Sequence, residues 1–191
     1  WVLAVDFSPD GTLLASASRD HSAKLWDLAT GRVLHSLESS SGFVVDVVFS
    51  PNGEQVATAA SFRPFQMGDK TVTLREPGEI NLWDVRSGKS LRSLKGHDSA
   101  ITGVNFGPGG RQLVSASRDK TAKLWNIDTG EQVREFTGHE DFVVDVAFSP
   151  NGRQLATASD DGTVRLWDTE TATELLTINA HQNGSFCVRF S

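Results

Sequence analysis

The chain has 191 residues, of which 38% are hydrophobic and 22% charged, and its formal net charge is −6. This composition is typical of a globular protein that can bury a core, and no apolar run approaches the roughly 20 residues of a membrane helix. The acidic balance argues against a nucleic-acid surface, which needs clustered lysine and arginine, although a local basic patch stays open. The single cysteine, Cys187, excludes an internal disulfide framework and is compatible with a reducing compartment.

An internal repeat is the strongest feature of the sequence. Intervals of 57, 42 and 42 residues separate Trp26, Trp83, Trp125 and Trp167. The matching column of phenylalanines, spaced by 42, 57, 42 and 42 residues, is Phe7, Phe49, Phe106, Phe148 and Phe190. The spacing predicts four repeats, the second of them lengthened by an insertion, and the opening of a fifth.

Each repeat predicts four short strands. In chain order the repeats cover about 1–38, 39–95, 96–137 and 138–178, and residues 179–191 begin the fifth. In the fourth repeat, alternating β-branched and aromatic residues predict strands at 142–149, 153–159, 163–168 and 174–178, separated by turn residues. The connections are too short for crossover helices, so neighbouring strands must be antiparallel. A period of about 40–45 residues with four strands predicts an all-β fold, a partial β-propeller of four blades and one further strand.

Recurrent short motifs identify a family that the sequence resembles. They are "LWD" at 25–27, 82–84 and 166–168, "LWN" at 124–126, and the dipeptides Gly96-His97 and Gly138-His139. Over essentially its whole length the chain resembles the WD-repeat (β-transducin-like) β-propeller family. The departures are local, since Ser39-Ser40 replaces the Gly-His dipeptide in the second repeat and Ala180-His181 replaces it in the fifth.

The resemblance implies a structural hydrogen-bond network in each blade. In the family's pattern, the histidine joins an aspartate of the second turn, a serine or threonine of the second strand and the tryptophan of the third. The matching residues are His97, Ser115, Asp119 and Trp125 in the third repeat, and His139, Thr157, Asp161 and Trp167 in the fourth. Ser16, Asp20 and Trp26 hold the corresponding positions of the first repeat. The second repeat lacks the histidine, so we expect it to be the least stable blade.

Neither a metal site nor a catalytic site is predicted from these polar residues. His97, His139 and His181 are spaced by one repeat, which places them on different blades. Serine, histidine and aspartate recur in several blades, whereas nucleophilic catalysis needs one activated serine beside an oxyanion site. The sequence contains no G-x-S-x-G, H-E-x-x-H or C-x-x-C motif and no phosphate loop. We therefore expect a non-catalytic protein without metal or cofactor.

Sequence variation among the repeats points to one face of the ring as a binding site. The loops ahead of each first strand and the turns between second and third strands should emerge together on this face. The residues that vary there are Trp1, Phe43 and Phe142 ahead of first strands, and Arg19, Arg118 and Asp160 in the second turns. Exposed aromatic residues and arginine are frequent interface anchors, which favours a partner site. The alternative is that the aromatic side chains only cap the inner strands.

The second repeat carries the insertion, at residues 62–77. It contains the apolar residues Phe62 and Phe65 and then a strand-like run at 71–75. Long loops in compact repeats are usually functional or disordered, and the apolar content disfavours disorder. We expect a small hairpin or flap over the binding face, with a passive surface decoration as the alternative.

These features together predict a protein-interaction or ligand-sensing scaffold within a larger signalling or regulatory protein. Its expected partners are other proteins or peptides, and the rest of the parent chain would complete the ring. A cytoplasmic location is expected, with the nucleus as the other candidate. Two alternatives stay open: a binder of nucleic acid or anionic lipid through Arg19, Arg63 and Arg118, and a propeller enzyme.

Overall fold

The computed structural model describes residues 1–39, 42–61, 65–67, 70–72, 77–181 and 187–190, with the backbone alone at 65–67 and 70–72. Within these residues the secondary structure consists of eighteen β-strands. The same residues include no helix with the length and apolar character needed to cross a membrane.

Sixteen of the strands form four antiparallel sheets, here called blades 1 to 4. Blade 1 contains β1 (Val2–Phe7), β2 (Leu13–Ser18), β3 (Ser22–Asp27) and β4 (Arg32–Glu38). Blade 2 begins with β5 (Phe43–Phe49) and β6 (Gln55–Ser61), is interrupted by β7 (Phe65–Met67) and β8 (Lys70–Val72), and ends with β9 (Glu79–Asp84) and β10 (Ser90–Leu94). Blade 3 contains β11 (Ile101–Phe106), β12 (Gln112–Ser117), β13 (Ala122–Asn126) and β14 (Gln132–Phe136). Blade 4 contains β15 (Val143–Phe148), β16 (Gln154–Ser159), β17 (Thr163–Asp168) and β18 (Glu174–Asn179).

The predicted all-β propeller architecture is confirmed, and the ring is open. Every blade pairs its strands in chain order, from an inner strand to an outer strand, and the insertion hairpin β7–β8 stands apart as a two-stranded sheet. The inner strands β1, β5, β11 and β15 contact one another in succession. In blade 4 the predicted strand bounds differ from the observed ones by one residue at four ends: the first strand is shorter at both ends, the second begins one residue later and the fourth ends one residue later.

Burial follows the position of a strand within its blade. The second strand β12 has five consecutive buried residues, because both of its faces are covered by neighbouring blades. The outer strand β14 is exposed except for its last residue, Phe136. A strand's place in the radial order therefore decides whether its sequence is continuously apolar or largely polar.

The hydrophobic core lies between blades, in three clusters. At the first junction, blade 1 contributes Ala15, Ala17, Ala23, Leu25 and Leu37, and blade 2 contributes Val44, Val47, Phe49, Val56 and Trp83. The corresponding columns meet at the junctions of blades 2 and 3 and of blades 3 and 4. Each fully buried Val, Leu or Phe side chain contributes about 1.5–3 kcal/mol, so most of a blade's stability depends on its neighbours.

Inner acceptors add a polar contact to each junction. We use this name for the side-chain oxygens of an inner strand that accept a hydrogen bond from the backbone N–H of the next blade's inner strand. Asp6 accepts from Phe49 at 2.7 Å, and Asp46 accepts from Val104 at 2.9 Å. Next along the ring, Asn105 accepts from Phe148 at 3.2 Å. Asp145 accepts from Val188, in the segment that follows blade 4, at 2.9 Å and also pairs with Arg189 at 2.6 Å.

The inner acceptors alternate between two columns of the repeat. In blades 1 and 3 the acceptor stands one residue before the repeated phenylalanine of its own blade. It accepts from the N–H of the equivalent phenylalanine in the next blade. In blades 2 and 4 the acceptor stands three residues before the repeated phenylalanine, and it accepts from the N–H that lies two residues before the equivalent phenylalanine of the next repeat. This shared use of Asp46 and Asp145 accounts for the aspartate in the common "FVVDV" of blades 2 and 4.

Outer donors form a second polar contact at the rim of the ring. These are cationic or imidazole side chains of an outer strand that donate to the backbone carbonyls of the next blade's outer turn. His35 donates from Nε2 to Arg86 at 3.1 Å. Arg92 donates to Asp128 and Thr129, both at 2.9 Å. Arg134 donates to Glu170 at 2.9 Å, and Leu176 occupies the same column in blade 4.

The inner acceptor Asp46 predicts a pH-dependent stability. Burial raises the pKa of its carboxyl to about 6, although hydrogen bonds from Val104 and Val47 oppose the shift. The folded protein therefore holds this proton more tightly than the unfolded chain does, and the associated stability, fully present below about pH 4, is lost as the pH rises through 6. We expect Asp46→Asn to remove about 2 kcal/mol of this pH dependence, because an amide oxygen still accepts from Val104 but does not ionise.

Urea unfolding of both proteins between pH 4 and 7 measures this difference. Asn105 already performs the same function at the next junction, so the substitution is compatible with the fold. Parallel stability profiles for the two proteins would contradict the assignment.

Candidate functional site

In blade 3 the structure joins the four network residues into one chain of hydrogen bonds. Trp125 donates from Nε1 to the Ser115 hydroxyl at 2.8 Å, and that hydroxyl lies 2.7 Å from Nε2 of His97. Nδ1 of His97 lies 2.7 Å from the Asp119 carboxylate. An ionised carboxylate can only accept, so Nδ1 carries the proton and Nε2 accepts from the serine hydroxyl. The chain thus runs from tryptophan through serine and histidine to aspartate and satisfies every buried polar group in it.

Blade 4 repeats this arrangement with threonine in place of serine. Trp167 donates to Thr157 at 2.8 Å, Thr157 lies 2.7 Å from Nε2 of His139, and Nδ1 of His139 lies 2.8 Å from Asp161. Burial lowers the pKa of the His139 imidazole, against the opposing influence of the aspartate. Burial also opposes ionisation of Asp161, yet hydrogen bonds from Thr163 and His139 outweigh it and hold the pKa of this carboxyl well below its usual range.

Blades 1 and 2 have a shorter version of the network. Trp26 donates to Ser16 at 2.9 Å, but Asp20 is hydrogen-bonded to Ser22 within its own turn. In blade 2, Trp83 donates to Thr58 at 2.9 Å. The structure therefore brings together the tryptophan and the hydroxyl in all four blades, and it joins histidine and aspartate to them in blades 3 and 4.

This geometry gives His97 and His139 a structural environment. His97 and His139 are buried, belong to separate blades and are each satisfied by residues of their own blade. His181 is exposed beside the turn that contains Gly162. In the described ranges, no group of three or more His, Cys, Asp or Glu side chains is placed to hold a metal ion.

The residues proposed for partner binding occupy the ends of the inner strands and the adjacent turns. We call this surface the mouth face and define it by Trp1, Arg19, Phe43, Arg118, Phe142 and Asp160. Within each blade, backbone contacts join the two loops. The N–H of Arg19 donates to the Trp1 carbonyl at 3.0 Å, and that of Asp160 donates to the Phe142 carbonyl at 2.9 Å. The two sets of variable residues are therefore neighbours in the structure.

Cationic side chains lie over aromatic rings on the mouth face. The Arg19 guanidinium lies 4.0 Å from the centre of the Trp1 ring, within blade 1. Arg118 of blade 3 lies 5.6 Å from the ring centre of Phe142 in blade 4. Trp1 is 81% exposed, and Phe142 is 38% exposed. Cation–π contacts of this kind attract the guanidinium to the face of the aromatic ring.

Two further residues of the mouth face were missed in the sequence. His21 packs edge-on against Phe43, with ring centres 5.3 Å apart, which leaves this phenylalanine half-buried. The ammonium group of Lys120 donates to the Glu140 carbonyl at 2.7 Å. Both residues have φ near +70°, in the turn position that glycine fills in blade 4. A non-glycine residue at that turn position is the sequence feature that could have identified them, because a positive φ is costly for such a residue without a compensating contact.

The insertion is described in part. Its backbone forms an antiparallel hairpin in which Phe65 pairs with Val72 and Met67 with Lys70. Residues 62–64, 68–69 and 73–76, and the side chains of the hairpin, lie outside the described part of the structure. The expected roles of Phe62 and Phe65, and of the strand predicted beyond residue 72, therefore stay predictions.

The hydrogen-bond networks of blades 1 and 4 differ, so removing the turn aspartate should lower the stability of the protein by different amounts in the two blades. We expect Asp161→Ala to cost about 1–3 kcal/mol of unfolding free energy, because it leaves the buried His139 imidazole without its acceptor. The matched variant Asp20→Ala should cost no more than about 1 kcal/mol, because Asp20 binds Ser22 within its own turn and holds no histidine. Denaturant unfolding of both variants tests this difference, and equal losses would contradict the structural role of the histidine.

Comparison with known proteins gives relatives that match part of this chain and part of their own length. The chain is 30% identical to the nuclear distribution protein nudF of Aspergillus niger over 129 residues, which covers 64% of this chain and 29% of the relative. It is 31% identical to WD repeat-containing protein SL1-17 of Schistosoma mansoni over 149 residues, covering 64% of this chain and 49% of the relative. It is 34% identical to the transcriptional corepressor LEUNIG_HOMOLOG of Arabidopsis thaliana over 114 residues, covering 59% and 13%.

A family model described as "WD domain, G-beta repeat" matches residues 1–27, 31–74, 88–126 and 130–168. The four matches equal the blades in number and together cover most of the chain, although each match after the first begins at the outer strand of the preceding blade. On the repeated motifs, the blade architecture and this match, the chain belongs to the WD-repeat family.

Proposed function

We propose that this chain is part of a protein-interaction scaffold that binds a partner protein or peptide through the mouth face. The observation that supports this proposal most directly is the environment of the arginine at the junction of blades 3 and 4. Arg118 is exposed, stacks on Phe142, and its guanidinium makes no hydrogen bond or ion pair with the described residues. A restrained arginine beside a partly exposed aromatic ring combines the two side-chain types most frequent at interface hot spots.

The family supports an interaction role. WD-repeat domains generally serve as non-enzymatic scaffolds, and the relatives bear the names of nuclear distribution and transcriptional corepressor proteins. The chain spans about three-tenths of the length of the nuclear distribution proteins it matches. We therefore place it within a larger regulatory protein, in the cytoplasm or the nucleus, whose remaining parts complete the ring.

A catalytic role has less support in the geometry. The serine or threonine hydroxyls of the networks are buried and already engaged by the tryptophan and histidine of the same blade. An enzyme needs such a group to face a bound substrate. Two of the three arginines named for a nucleic-acid or lipid site belong to different blades, since Arg19 lies over Trp1 in blade 1 and Arg118 of blade 3 lies over Phe142. The third, Arg63, lies outside the described residues.

The insertion is the second element of the proposed site. Its hairpin emerges directly after β6, at the end where Ser61 pairs with Phe43 of the mouth face. This position supports the proposal that residues 62–77 extend the binding surface.

Substitution of Phe142 should separate binding from stability. We expect Phe142→Glu in the full-length protein to reduce partner capture at least about tenfold, because it removes an anchor and places a carboxylate there. Its melting temperature should stay close to wild type, because the side chain already contacts water.

Affinity capture followed by quantitative mass spectrometry, with thermal melting of the same proteins, measures both effects. Asp161→Ala serves as the reference for a loss of stability, because it breaks the buried network of the same blade. A Phe142→Glu protein that melts as early as Asp161→Ala and retains its partners would show that the ring belongs to the core. Deletion of residues 62–77 should also reduce capture, and unchanged capture would identify the insertion as passive.

A further inference from the structure

A cavity of about 500 Å³ lies between two complete blades, at the junction of blades 3 and 4. Its apolar lining comes from Leu124 and Val133 of blade 3, and its polar lining comes mostly from blade 4. Arg153 of this lining precedes β16, whereas Asp160 of the mouth face follows the same strand. The cavity is therefore on the side of the ring opposite the mouth face, and its volume is within the range of ligand-binding clefts.

Thr169 brings a buried hydroxyl without a partner to this cavity. The residue is 5% exposed and belongs to the cavity lining. Its Oγ1 makes no hydrogen bond with any described residue. A buried polar group without a partner lowers the stability of the folded protein, and such groups are rare in native structures. The hydroxyl therefore calls for an explanation other than stability.

The other blades have an aliphatic residue in the same column of the repeat. Leu28, Val85 and Ile127 stand two residues after the repeated tryptophan, where blade 4 has Thr169. Ile127 is 7% exposed and belongs to the hydrophobic cluster of blades 2 and 3, and Val85 packs against the cluster of blades 1 and 2. An aliphatic side chain at this position stabilises the junction, so the hydroxyl of Thr169 is explained better by a ligand than by packing.

Arg153 adds an unpaired cation beside the hydroxyl. The N–H of Thr169 donates to the Arg153 carbonyl at 3.0 Å, which makes the two residues neighbours. The Arg153 side chain is exposed, and its guanidinium makes no hydrogen bond or ion pair with the described residues. Arg134 lies on the outer side of the cavity, where its Nε donates to the Glu170 carbonyl at 2.9 Å. A hydroxyl donor next to an unpaired guanidinium is suited to bind a carboxylate.

Acidic side chains restrict the charge of the ligand. Asp168 and Glu170 line the same cavity. The Asp168 carboxylate accepts from the N–H of Thr171 at 2.8 Å, whereas the Glu170 side chain is exposed and makes no hydrogen bond or ion pair with the described residues. These carboxylates repel a ligand with several negative charges, and they favour one that has a single carboxylate and a basic group farther along.

The apolar lining restricts the ligand further. Leu124 and Val133 require an apolar group close to the carboxylate. In a polypeptide, a C-terminal aliphatic residue has both groups on one Cα, whereas the side chains of aspartate and glutamate end in the carboxylate alone.

We propose that the cavity between blades 3 and 4 binds the C-terminus of a partner polypeptide whose last residue is aliphatic. The terminal carboxylate pairs with Arg153 and accepts from the Thr169 hydroxyl. The aliphatic side chain packs on Leu124 and Val133, and an upstream lysine or arginine pairs with Glu170. This site is separate from the mouth face and does not depend on the function proposed for it.

Peptides that differ at their C-terminus test the proposal with the full-length protein. The probes are fluorescein-labelled hexapeptides that end in leucine, isoleucine or valine, have lysine as the third-last residue and vary elsewhere. Each is made with a free C-terminal carboxylate, as the amide, and as the amide with an internal aspartate. Fluorescence anisotropy measures their Kd. Amidation should weaken the tightest binder at least about tenfold, because charge-assisted hydrogen bonds are lost, and serine as its last residue should have a similar effect.

Variants of the protein locate the binding site. Thr169→Val keeps the shape of the side chain and should weaken peptide binding roughly fivefold, while the melting temperature equals or exceeds that of wild type because the buried hydroxyl is removed. Arg153→Glu should weaken binding at least about tenfold. The matched control is Arg111→Glu, in the same column of blade 3, where the N–H of Ile127 donates to the Arg111 carbonyl at 3.1 Å. This control should leave peptide binding unchanged.

Four results would overturn the proposal. Equal affinities of the free-carboxylate and amide forms throughout the set would show that the protein does not recognise a C-terminus. Amides with an internal aspartate that bind as tightly as the free-carboxylate forms would assign the cavity to an internal acidic segment. Equal losses for Arg111→Glu and Arg153→Glu would indicate a general effect of charge. Wild-type affinity of Thr169→Val would exclude the hydroxyl from the site.

Discussion

The structure depends on one constraint: a blade cannot bury its own apolar faces. A four-stranded antiparallel sheet is one layer thick, so the small and branched residues on its faces need a second sheet against them. In this chain that sheet is the next blade, and the three hydrophobic clusters are all shared by two blades. The stability of a blade is thus a property of its junctions, as in other repeat proteins.

Polar contacts give these apolar junctions a defined register. Two apolar sheets can slide over one another with little change in buried area, whereas a hydrogen bond requires a particular alignment. Inner acceptors such as Asp6 and outer donors such as Arg92 fix the alignment at two radii of the ring. The Asp–His–Ser/Thr–Trp chains act within a blade, where they tie the mouth face to the third strand. The variable residues of the mouth face are thereby presented on a rigid base.

The fold could be predicted from the sequence because its signal is repeated. The tryptophan column, the serine or threonine that binds it and the four-strand pattern occur in every repeat, so chance variation in one repeat does not obscure them. Contacts between blades were harder to predict. The inner acceptors alternate between two columns, so neither column is uniformly acidic. The column of the outer donors holds histidine in one blade, arginine in two and, in the fourth, a leucine that cannot donate. The stacking of Arg118 on Phe142 joins residues of different blades and requires the geometry of the junction.

Residue-resolved native-state hydrogen exchange of Leu37→Ala tests the account most directly. This side chain is fully buried at the junction of blades 1 and 2, and its truncation creates a cavity there that costs about 2–5 kcal/mol. If the core is distributed among junctions, amides of blades 1 and 2 should lose protection while those at the junction of blades 3 and 4 keep theirs. A uniform loss of protection across all four blades would contradict the account and would indicate a single cooperative core.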